Sequence, residues 1–320
     1  MKAITLNSDG LHYQPSHAEA KPAENEVLVR VIKAGICETD LQLAQGYMAF
    51  SGIPGHEFIG IVETGNHAGR RVVGEINCNC RTCKTCLAGR PTHCPHRTVI
   101  GIDRHDGAFA EFVALPEHNL HLVPEGVSDD QAVFVEPLAA AIQITEQVPI
   151  KSSDRIAILG DGRLGYLSAQ VLSLASDQIT VFGKHGPKLL RFGHRNITTV
   201  QIPSSDPAEL SPDEFDLVVD CTGSTTGLPM ALHLVRPRGT VVMKTTVADQ
   251  HQLSLAAIVI EEINVVGSRC GPFGKAIDAL ANGDVDVTNL ITDRFSLEQV
   301  NDAFASAASA NSFKVVFEIG

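Results

Sequence analysis

Four cysteines in the first third of the chain are spaced closely enough to bind one metal ion. Cys80, Cys83, Cys86 and Cys94 form the pattern C-x2-C-x2-C-x7-C. Thiolates at this spacing can surround one tetrahedral Zn²⁺, and four of them leave no open position for a substrate. We therefore predict a structural zinc in a lobe over residues 78–96. Cys78 is then either a thiol outside the site or a replacement for Cys80, and neither His93 nor His96 is needed as a ligand.

A second set of metal-ligating residue types is spread along the chain. It consists of Cys37, of His56 and Glu57 in a Gly-His-Glu triplet, and of Glu136 before Pro137. One thiolate, one imidazole and one or two carboxylates are typical of an open zinc site. With one glutamate such a Zn²⁺ site is electrically neutral, so a bound alcohol can lose its proton. Each residue alone also has an ordinary structural explanation, and spacing leaves both interpretations open.

A glycine-rich turn in the middle of the chain indicates a dinucleotide site. Residues 160–165 read Gly-Asp-Gly-Arg-Leu-Gly and match G-x-G-x-x-G. They follow a buried-strand pattern over 155–159, open a helical pattern over 164–175 and precede a second strand pattern over 178–182. In that context the glycines allow a tight turn, close approach of a pyrophosphate and close packing of helix on strand. The predicted coenzyme contacts are Gly160, Gly162, Arg163, Leu164, Gly165, Gly183, Lys184, His185, Lys188 and Thr222.

The end of the second strand favours NADP(H) over NAD(H). NAD sites usually place an acidic residue there to bind the ribose 2′-hydroxyl. Here Gly183 stands at that point, and no carboxylate occurs between Ile179 and Phe192. Lys184, His185 and Lys188 could instead bind a 2′-phosphate. The alternative is that these three residues are solvated at the start of a helix.

The elements that must position these residues fall into two patterns. Up to about residue 130 the chain has short apolar, β-branched runs at 27–32, 58–62 and 110–115, separated by glycine and proline. From about residue 153, strand patterns alternate with helical ones, which is typical of a parallel α/β sheet. A helix is predicted over 297–310 and a strand over 314–319.

Composition excludes several classes of protein. The 320 residues are 44% hydrophobic and 19% charged, which provides for a buried core rather than a disordered chain. The net charge of −12 disfavours binding to nucleic acid or to an anionic membrane. Neither a transmembrane span nor a signal peptide is visible, so we expect a cytoplasmic protein with reduced cysteines.

Taken together, these motifs resemble the zinc-containing medium-chain dehydrogenase/reductase family, the alcohol and polyol dehydrogenases. The matching segments lie at 35–40, 55–57, 80–94, 106–112, 135–138 and 160–165, in the order of the family. The resemblance implies an α/β fold of two domains. A GroES-like β-rich catalytic domain is expected from residues 1–145 and 285–320, and a Rossmann-fold coenzyme domain from residues 146–284. It also implies a homodimer or homotetramer.

The resemblance assigns roles to individual residues. Cys37 and His56 match ligands of a catalytic zinc, and Glu136 stands where many alcohol dehydrogenases have a second cysteine. Glu57 matches a residue that binds the metal directly in some members. Thr39 matches the hydroxyl that accepts the substrate proton, and Asp40 would hold His56 in its metal-binding tautomer.

One departure affects proton transfer: Gln42 stands where many family members have a histidine, and it cannot titrate near neutrality. The exposed end of the relay must therefore run through water, ribose hydroxyls or another group. Glu38 also departs from the residues common after the cysteine.

The function implied is hydride transfer between a nicotinamide and a secondary alcohol, polyol or sugar, with two Zn²⁺ per chain. Tyr47, Met48 and Phe50 lie where family members line the substrate pocket, although core packing would explain them equally well. Two other functions compete with this one. The first is a zinc-independent NADPH enone or quinone reductase, and the second is a non-enzymatic NADP(H)-binding sensor. The first would lack the set Cys37, His56 and Glu136, and the second would not need Thr39.

Overall fold

Seventeen strands occur among residues 1–193, 196–202, 210–246 and 253–320, which the computed structural model of the chain describes. In chain order they are β1 (Ala3–Asn7), β2 (Gly10–Gln14), β3 (Glu26–Gly35), β4 (Glu57–Val62), β5 (Arg71–Gly74), β6 (Asn77–Cys78), β7 (Thr98–Val99), β8 (Phe112–Pro116), β9 (Leu120–Leu122), β10 (Ile156–Leu159), β11 (Ile179–Gly183), β12 (Thr198–Gln201), β13 (Phe215–Asp220), β14 (Val235–Met243), β15 (Asn264–Gly267), β16 (Ile291–Phe295) and β17 (Lys314–Glu318).

The helices of the same ranges are fewer and mostly short. They are α1 (Glu38–Ala44), α2 (Lys84–Leu87), α3 (Asp129–Ala132), α4 (Val135–Gln147), α5 (Arg163–Ser173), α6 (Gly186–Leu189), α7 (Gly227–Leu234), α8 (Ala256–Ile260), α9 (Phe273–Ala281) and α10 (Val300–Ala307). None of the helices in the described ranges is long and apolar enough to span a bilayer.

The chain divides into two compact units. The first unit comprises Met1–Glu136, Ala276–Ala281 and Val287–Gly320, and the second comprises Pro137–Lys275 and Asn282–Asp286. The sequence places its domain boundaries at residues 145 and 285, which lie near these positions.

A seven-stranded sheet is the frame of the first unit. Its order is β16-β17-β3-β4-β5-β9, with β8 also paired to β3. The long strand β3 alternates buried and partly exposed residues, as expected for a strand with one face on the core. The late strand β17 pairs antiparallel with it, with Val316 opposite Gly35. Both ends of the chain therefore build one β-rich domain.

The core of the first unit lies against this sheet. The Phe109 ring packs edge-on against Phe304 at 6.2 Å and against Phe317 at 5.0 Å between ring centroids. These three residues come from a loop, from α10 and from β17, so the core joins early and late segments of the chain. All three are less than one-tenth exposed, and this packing holds the sheet that carries the first candidate site.

A six-stranded parallel sheet is the frame of the second unit. Its order is β12-β11-β10-β13-β14-β15, and each neighbouring pair is parallel. This is the strand order of a Rossmann fold, with the first strand β10 beside the point where the order reverses. The predicted fold class, a GroES-like β-rich domain with a Rossmann domain, is confirmed.

Candidate functional site

Cys37 and Asp40 are held together at the start of α1. Cys37 is the residue before the helix, and its backbone N–H donates to Oδ2 of Asp40 at 2.8 Å. Asp40 therefore caps the helix with one carboxylate oxygen and keeps the other, Oδ1, for a different partner. Thr39 lies in the same turn, with its Oγ1 3.8 Å from Sγ of Cys37. The short segment thus presents a thiol, a hydroxyl and a carboxylate together.

His56 and Glu57 meet this segment at the start of β4. The potential ligand atoms of Cys37, His56 and Glu57 all lie within 4.8 Å of one another. His56 and Glu57 are buried, because β4 lies inside the seven-stranded sheet beside β3. The second predicted constellation is therefore brought together from two separate parts of the sequence.

The electrostatics around His56 favour a cation. Oδ1 of Asp40 lies 3.6 Å from Nδ1 of His56. Burial lowers the pKa of the imidazole, but the charges of Asp40 and Cys37 outweigh it and raise the pKa well above its usual value. A bound metal ion would provide the same positive charge without protonating the imidazole, which would then be free to coordinate.

Three buried polar atoms at this site lack a hydrogen-bond partner. They are Oδ1 of Asp40, Nδ1 of His56 and Oε1 of Glu57. An unsatisfied buried polar atom costs about 1–3 kcal/mol, more if it is charged, so three at one place require an explanation. Oδ1 of Asp40 and Nδ1 of His56 face each other, and a hydrogen bond that closes the 3.6 Å between them would satisfy both. Oε1 of Glu57 would be satisfied by a divalent cation bound to the Cys37 thiolate, the other ring nitrogen of His56 and this carboxylate, a donor set that suits zinc. The residues therefore fit the metal that the sequence predicts.

Behind Glu57 lies a fully buried lysine that sequence reasoning missed. Nζ of Lys314, on β17, contacts Oε2 of Glu57, and both side chains are 0% exposed. The same Nζ lies 3.5 Å from the carbonyl oxygen of Ile36 and 5.7 Å from the centre of the Phe134 ring. One oxygen of Glu57 is thereby held by a cation of the protein, while Oε1 has no hydrogen-bond partner. The only signal in the sequence is a lysine at the head of an apolar strand.

The remaining residues predicted for this site lie outside the group of Cys37, His56 and Glu57. Glu136 lies in the first turn of α4 and is not in the group of Cys37, His56 and Glu57. Its role as a zinc ligand stays a prediction. Gln42 lies on α1 and is partly buried, whereas Met48 is 54% exposed. Glu38, which has no counterpart in the expected pattern, is exposed at the start of α1 and plays no visible part in the site.

The four cysteines of the lobe converge on one point. The distances between sulfur atoms are 3.5 Å for Cys83 and Cys86, 3.8 Å for Cys83 and Cys94, and 3.5 Å for Cys94 and Cys80. Zn–S bonds of about 2.3 Å in tetrahedral geometry put sulfur atoms about 3.8 Å apart. The structure thus brings together the ligand set of the predicted structural zinc.

Backbone N–H groups lower the pKa of Cys80 and Cys83 and favour thiolates there, whereas burial raises the pKa of Cys86 to about 12. Backbone N–H groups of Thr82 and Cys83 lower the pKa of Cys80 to about 5. The backbone N–H of His96 points at Sγ of Cys94 from 3.4 Å. Cys78, in contrast, is outside the group on strand β6, where burial raises the pKa of its thiol to about 12. Of the two roles considered for Cys78, the structure favours a buried thiol outside the site.

The glycine-rich turn joins β10 to α5 as predicted. A Cβ on Gly165 would overlap the carbonyl oxygen of Gly160, so only glycine permits this packing of helix against turn. A pocket in the second unit is lined by residues of this turn, of the end of β11 and of the segment after β13. Among its lining residues are the predicted contacts Gly160, Gly183, Lys184, His185 and Thr222.

Other predicted coenzyme contacts surround this pocket without being among its lining residues. Gly162, Arg163, Leu164 and Gly165 belong to the turn and the first residues of α5, and Lys188 belongs to α6. The pocket also has a lining residue that sequence reasoning did not select. Asp161 is 7% exposed, and its carboxylate contacts the backbone N–H and the ring of His185.

Comparisons with known proteins agree with both units. Residues 23–125 match the family model described as "Alcohol dehydrogenase GroES-like domain", and residues 129–319 match the model "Glucose dehydrogenase C-terminus". An L-threonine 3-dehydrogenase of Streptomyces coelicolor is 31% identical, over 92% of this chain and 92% of the relative. A sorbitol dehydrogenase of Halalkalibacterium halodurans is 27% identical, over 99% and 98%. A solved structure from Sinorhizobium meliloti, described as a zinc-binding dehydrogenase bound to NADP, is 28% identical with a TM-score of 0.88, over 99% and 98%.

Proposed function

The chain belongs to the medium-chain alcohol and polyol dehydrogenase family, and on that premise we propose that it is a zinc-dependent dehydrogenase of secondary alcohols, polyols or sugars. The observation that carries the proposal is the group of Cys37, His56 and Glu57 in the first unit, in which His56 and Glu57 are buried and Oε1 of Glu57 has no hydrogen-bond partner. Family membership makes the chain an oxidoreductase. Its metal and its substrate are the parts that we propose.

Two zinc ions per chain are proposed. Cys80, Cys83, Cys86 and Cys94 would hold a structural ion. Cys37, His56 and a carboxylate would hold the second ion, with Glu57 as the carboxylate in contact and Glu136 as the alternative. When bound there, zinc would act as a Lewis acid that lowers the pKa of a substrate hydroxyl. All of these thiols must be reduced, so we also propose a reducing, cytoplasmic location.

Thr39 and Asp40 would have different roles in proton transfer. Thr39, whose hydroxyl lies beside the Cys37 thiol, would accept the proton of the substrate hydroxyl and pass it on. Asp40 would hold the ring of His56 from behind and keep the opposite nitrogen available. Because Gln42 cannot carry a proton, the next group in the relay would be water or a coenzyme hydroxyl. The hydride itself would be exchanged with a nicotinamide coenzyme.

The relatives indicate a substrate class. The S. coelicolor relative is named as an L-threonine 3-dehydrogenase and the H. halodurans relative as a sorbitol dehydrogenase. Threonine and sorbitol share a secondary hydroxyl next to a second polar group, so we propose substrates of this kind. For the coenzyme, Lys184, His185 and Lys188 support NADP(H), since Gly183 brings no carboxylate from the strand end.

The test combines metal analysis with activity. The wild-type protein is expected to contain two zinc ions per chain and to turn over with NADP⁺ or NAD⁺ on a panel of polyols, sugars and hydroxyamino acids. Cys37→Ser should lose one zinc and nearly all turnover while NADPH binding is retained. Cys83→Ser, the matched control, should lose the other zinc and lower the melting temperature. Full activity of a Cys37→Ser protein with one zinc would refute a catalytic zinc.

An assembly of identical subunits is proposed as well. Strand β15 ends the parallel sheet of the second unit, and Val265 on this strand is 42% exposed. Val259 and Ile260, on the preceding helix α8, are 74% and 72% exposed. Uncovered strand edges and exposed apolar side chains are typical of an interface between subunits. We expect a homodimer or homotetramer in light scattering, and dissociation on Val259→Lys. Leu174→Lys, at an apolar residue 50% exposed elsewhere in the unit, should leave the assembly intact.

A further inference from the structure

Asp161 and His185 form a close pair in the coenzyme pocket of the second unit. Oδ2 of Asp161 accepts the backbone N–H of His185 at 2.6 Å. Both carboxylate oxygens lie 3.0 Å from Nδ1 of the same imidazole. Asp161 is 7% exposed, whereas the side chain of His185 is 43% exposed. The carboxylate is therefore fixed by its contacts, and the imidazole forms the open side of the pair.

The carboxylate of Asp161 occupies the place of a missing side chain. Strands β10 and β11 are parallel neighbours with Leu159 opposite Phe182, so the turn after β10 lies beside the end of β11. A Cβ built on Gly183 would lie 2.6 Å from Cβ of Asp161 and 2.7 Å from its Oδ2. A larger residue at the strand end is thus incompatible with Asp161 in its present position.

A carboxylate at the end of β11 bears on the choice between NAD and NADP. A carboxylate at the end of the second Rossmann strand accepts hydrogen bonds from the adenosine ribose of NAD and repels the 2′-phosphate of NADP. Here no acidic residue occurs between Ile179 and Phe192, yet a carboxylate is present at the same place, supplied by the glycine-rich turn. We infer that Asp161 is a specificity-determining residue that acts in favour of NAD(H) from within the turn, and that His185 opposes it in favour of NADP(H).

The pairing explains how the two residues can oppose each other. Nδ1 of His185 faces Asp161, so Nε2 is the ring nitrogen left to face a 2′-phosphate, to which it can donate when the ring carries both protons. The backbone N–H and the ring of His185 contact both oxygens of the carboxylate and reduce its repulsion of a phosphate, while lone pairs remain on it to accept from a ribose hydroxyl. Without His185 the buried charge of Asp161 would face the coenzyme directly. The inference rests on the proposed function, because it concerns the coenzyme of that reaction.

Direct binding of NADH and NADPH tests the inference without any alcohol substrate. The quantity to compare is the ratio of the dissociation constants, Kd for NADH divided by Kd for NADPH, from nicotinamide fluorescence of the full chain. Asp161→Asn keeps the shape and removes the charge, and it should raise this ratio about tenfold or more, since hydrogen bonds to charged groups are worth about 1.5–3 kcal/mol. His185→Leu should lower the ratio by a similar factor.

Two further variants serve as controls for the effect of Asp161→Asn on the ratio of dissociation constants. Asp177→Asn removes an exposed negative charge of the same unit that is not among the lining residues of this pocket, and should leave the ratio unchanged. The double variant Asp161→Gly with Gly183→Asp returns the carboxylate to the strand end and should restore NADH binding. It also decides the matter if Asp161→Asn does not fold.

The inference is overturned if Asp161→Asn changes the ratio by less than twofold, as Asp177→Asn should, or if it lowers the ratio. It is equally overturned if the double variant folds and still fails to bind NADH. A wild-type protein that binds neither NADH nor NADPH would refute the proposed function itself. Binding of both coenzymes with an unchanged ratio would refute only the role of Asp161.

Discussion

The buried contact between Lys314 and Glu57 leads to the strongest prediction on stability. Both side chains are 0% exposed, and Nζ of Lys314 contacts the Glu57 carboxylate and lies 3.5 Å from the carbonyl oxygen of Ile36. Lys314→Met keeps most of the side-chain volume but leaves the Glu57 carboxylate buried without its cation. Removing one partner of a buried ion pair costs about 3–5 kcal/mol. At about 2–4 °C per kcal/mol for a unit of this size, the melting temperature should fall by about 6–20 °C.

The double variant Lys314→Met with Glu57→Gln separates a charge effect from a packing effect. With both charges gone, no uncompensated carboxylate remains, and most of the lost stability should return. Zinc should also reduce the loss in the single variant, since a cation bound beside Oε1 of Glu57 would replace part of the missing charge. Melting curves of each variant, recorded after chelation and after addition of zinc, measure both effects.

An exposed ion pair provides the matched control. Nζ of Lys275 lies 2.7 Å from Oε1 of Glu146, with side chains 59% and 37% exposed. Exposed pairs contribute about 1 kcal/mol or less, so Lys275→Met should shift the melting temperature only slightly. The reasoning is refuted if Lys314→Met melts within 2 °C of the wild type after chelation. It is also refuted if the double variant is no more stable than the single one.

Three further predictions concern other parts of the chain. A hydrogen bond from Arg294 lowers the pKa of Asp130 to about 2. The stability that the ionised carboxylate provides is therefore complete above about pH 4 and is lost as the pH falls through 2. In Asp130→Asn the melting temperature should depend less on pH between these two values than it does in the wild type. Gly165→Ala forces a methyl group against the Gly160 carbonyl, and should weaken NADPH binding and destabilise the second unit by about 1–3 kcal/mol. Cys78→Ala should leave the zinc content at its wild-type value, and loss of one zinc would make Cys78 a ligand.

Much of the fold could be predicted because it depends on local patterns. The apolar runs at 155–159 and 178–182 are found as β10 and β11, and the predicted strand at 314–319 is found as β17. The sequence does not predict strand β12, because its residues Thr-Thr-Val-Gln are mostly exposed at the edge of the sheet and carry no apolar run. Local hydrophobicity identifies central strands far better than edge strands.

The two groups of candidate metal ligands could be predicted to different extents, because one is local in the sequence and the other is not. The four cysteines lie within fifteen residues of one another, so their spacing nearly determines their geometry. Cys37 and His56 are joined only by the pairing of β3 with β4, and the sequence alone left their meaning open. Lys314 is separated from Glu57 by 257 residues, and no local pattern connects them. Only the antiparallel pairing of β17 with β3 brings this lysine behind the site.

Asp161 shows a different limit of sequence reasoning. The rule for coenzyme choice refers to one position, the end of the second strand, and there it finds Gly183 and no acidic residue. The coenzyme, however, meets whatever atoms fill that space, and in this chain they belong to a residue 22 positions earlier whose carboxylate a Cβ at Gly183 would touch. A glycine at the strand end therefore has two meanings that sequence cannot separate. It either makes room for a phosphate or makes room for a carboxylate from the turn, and the side chain between the first two glycines of the motif decides which.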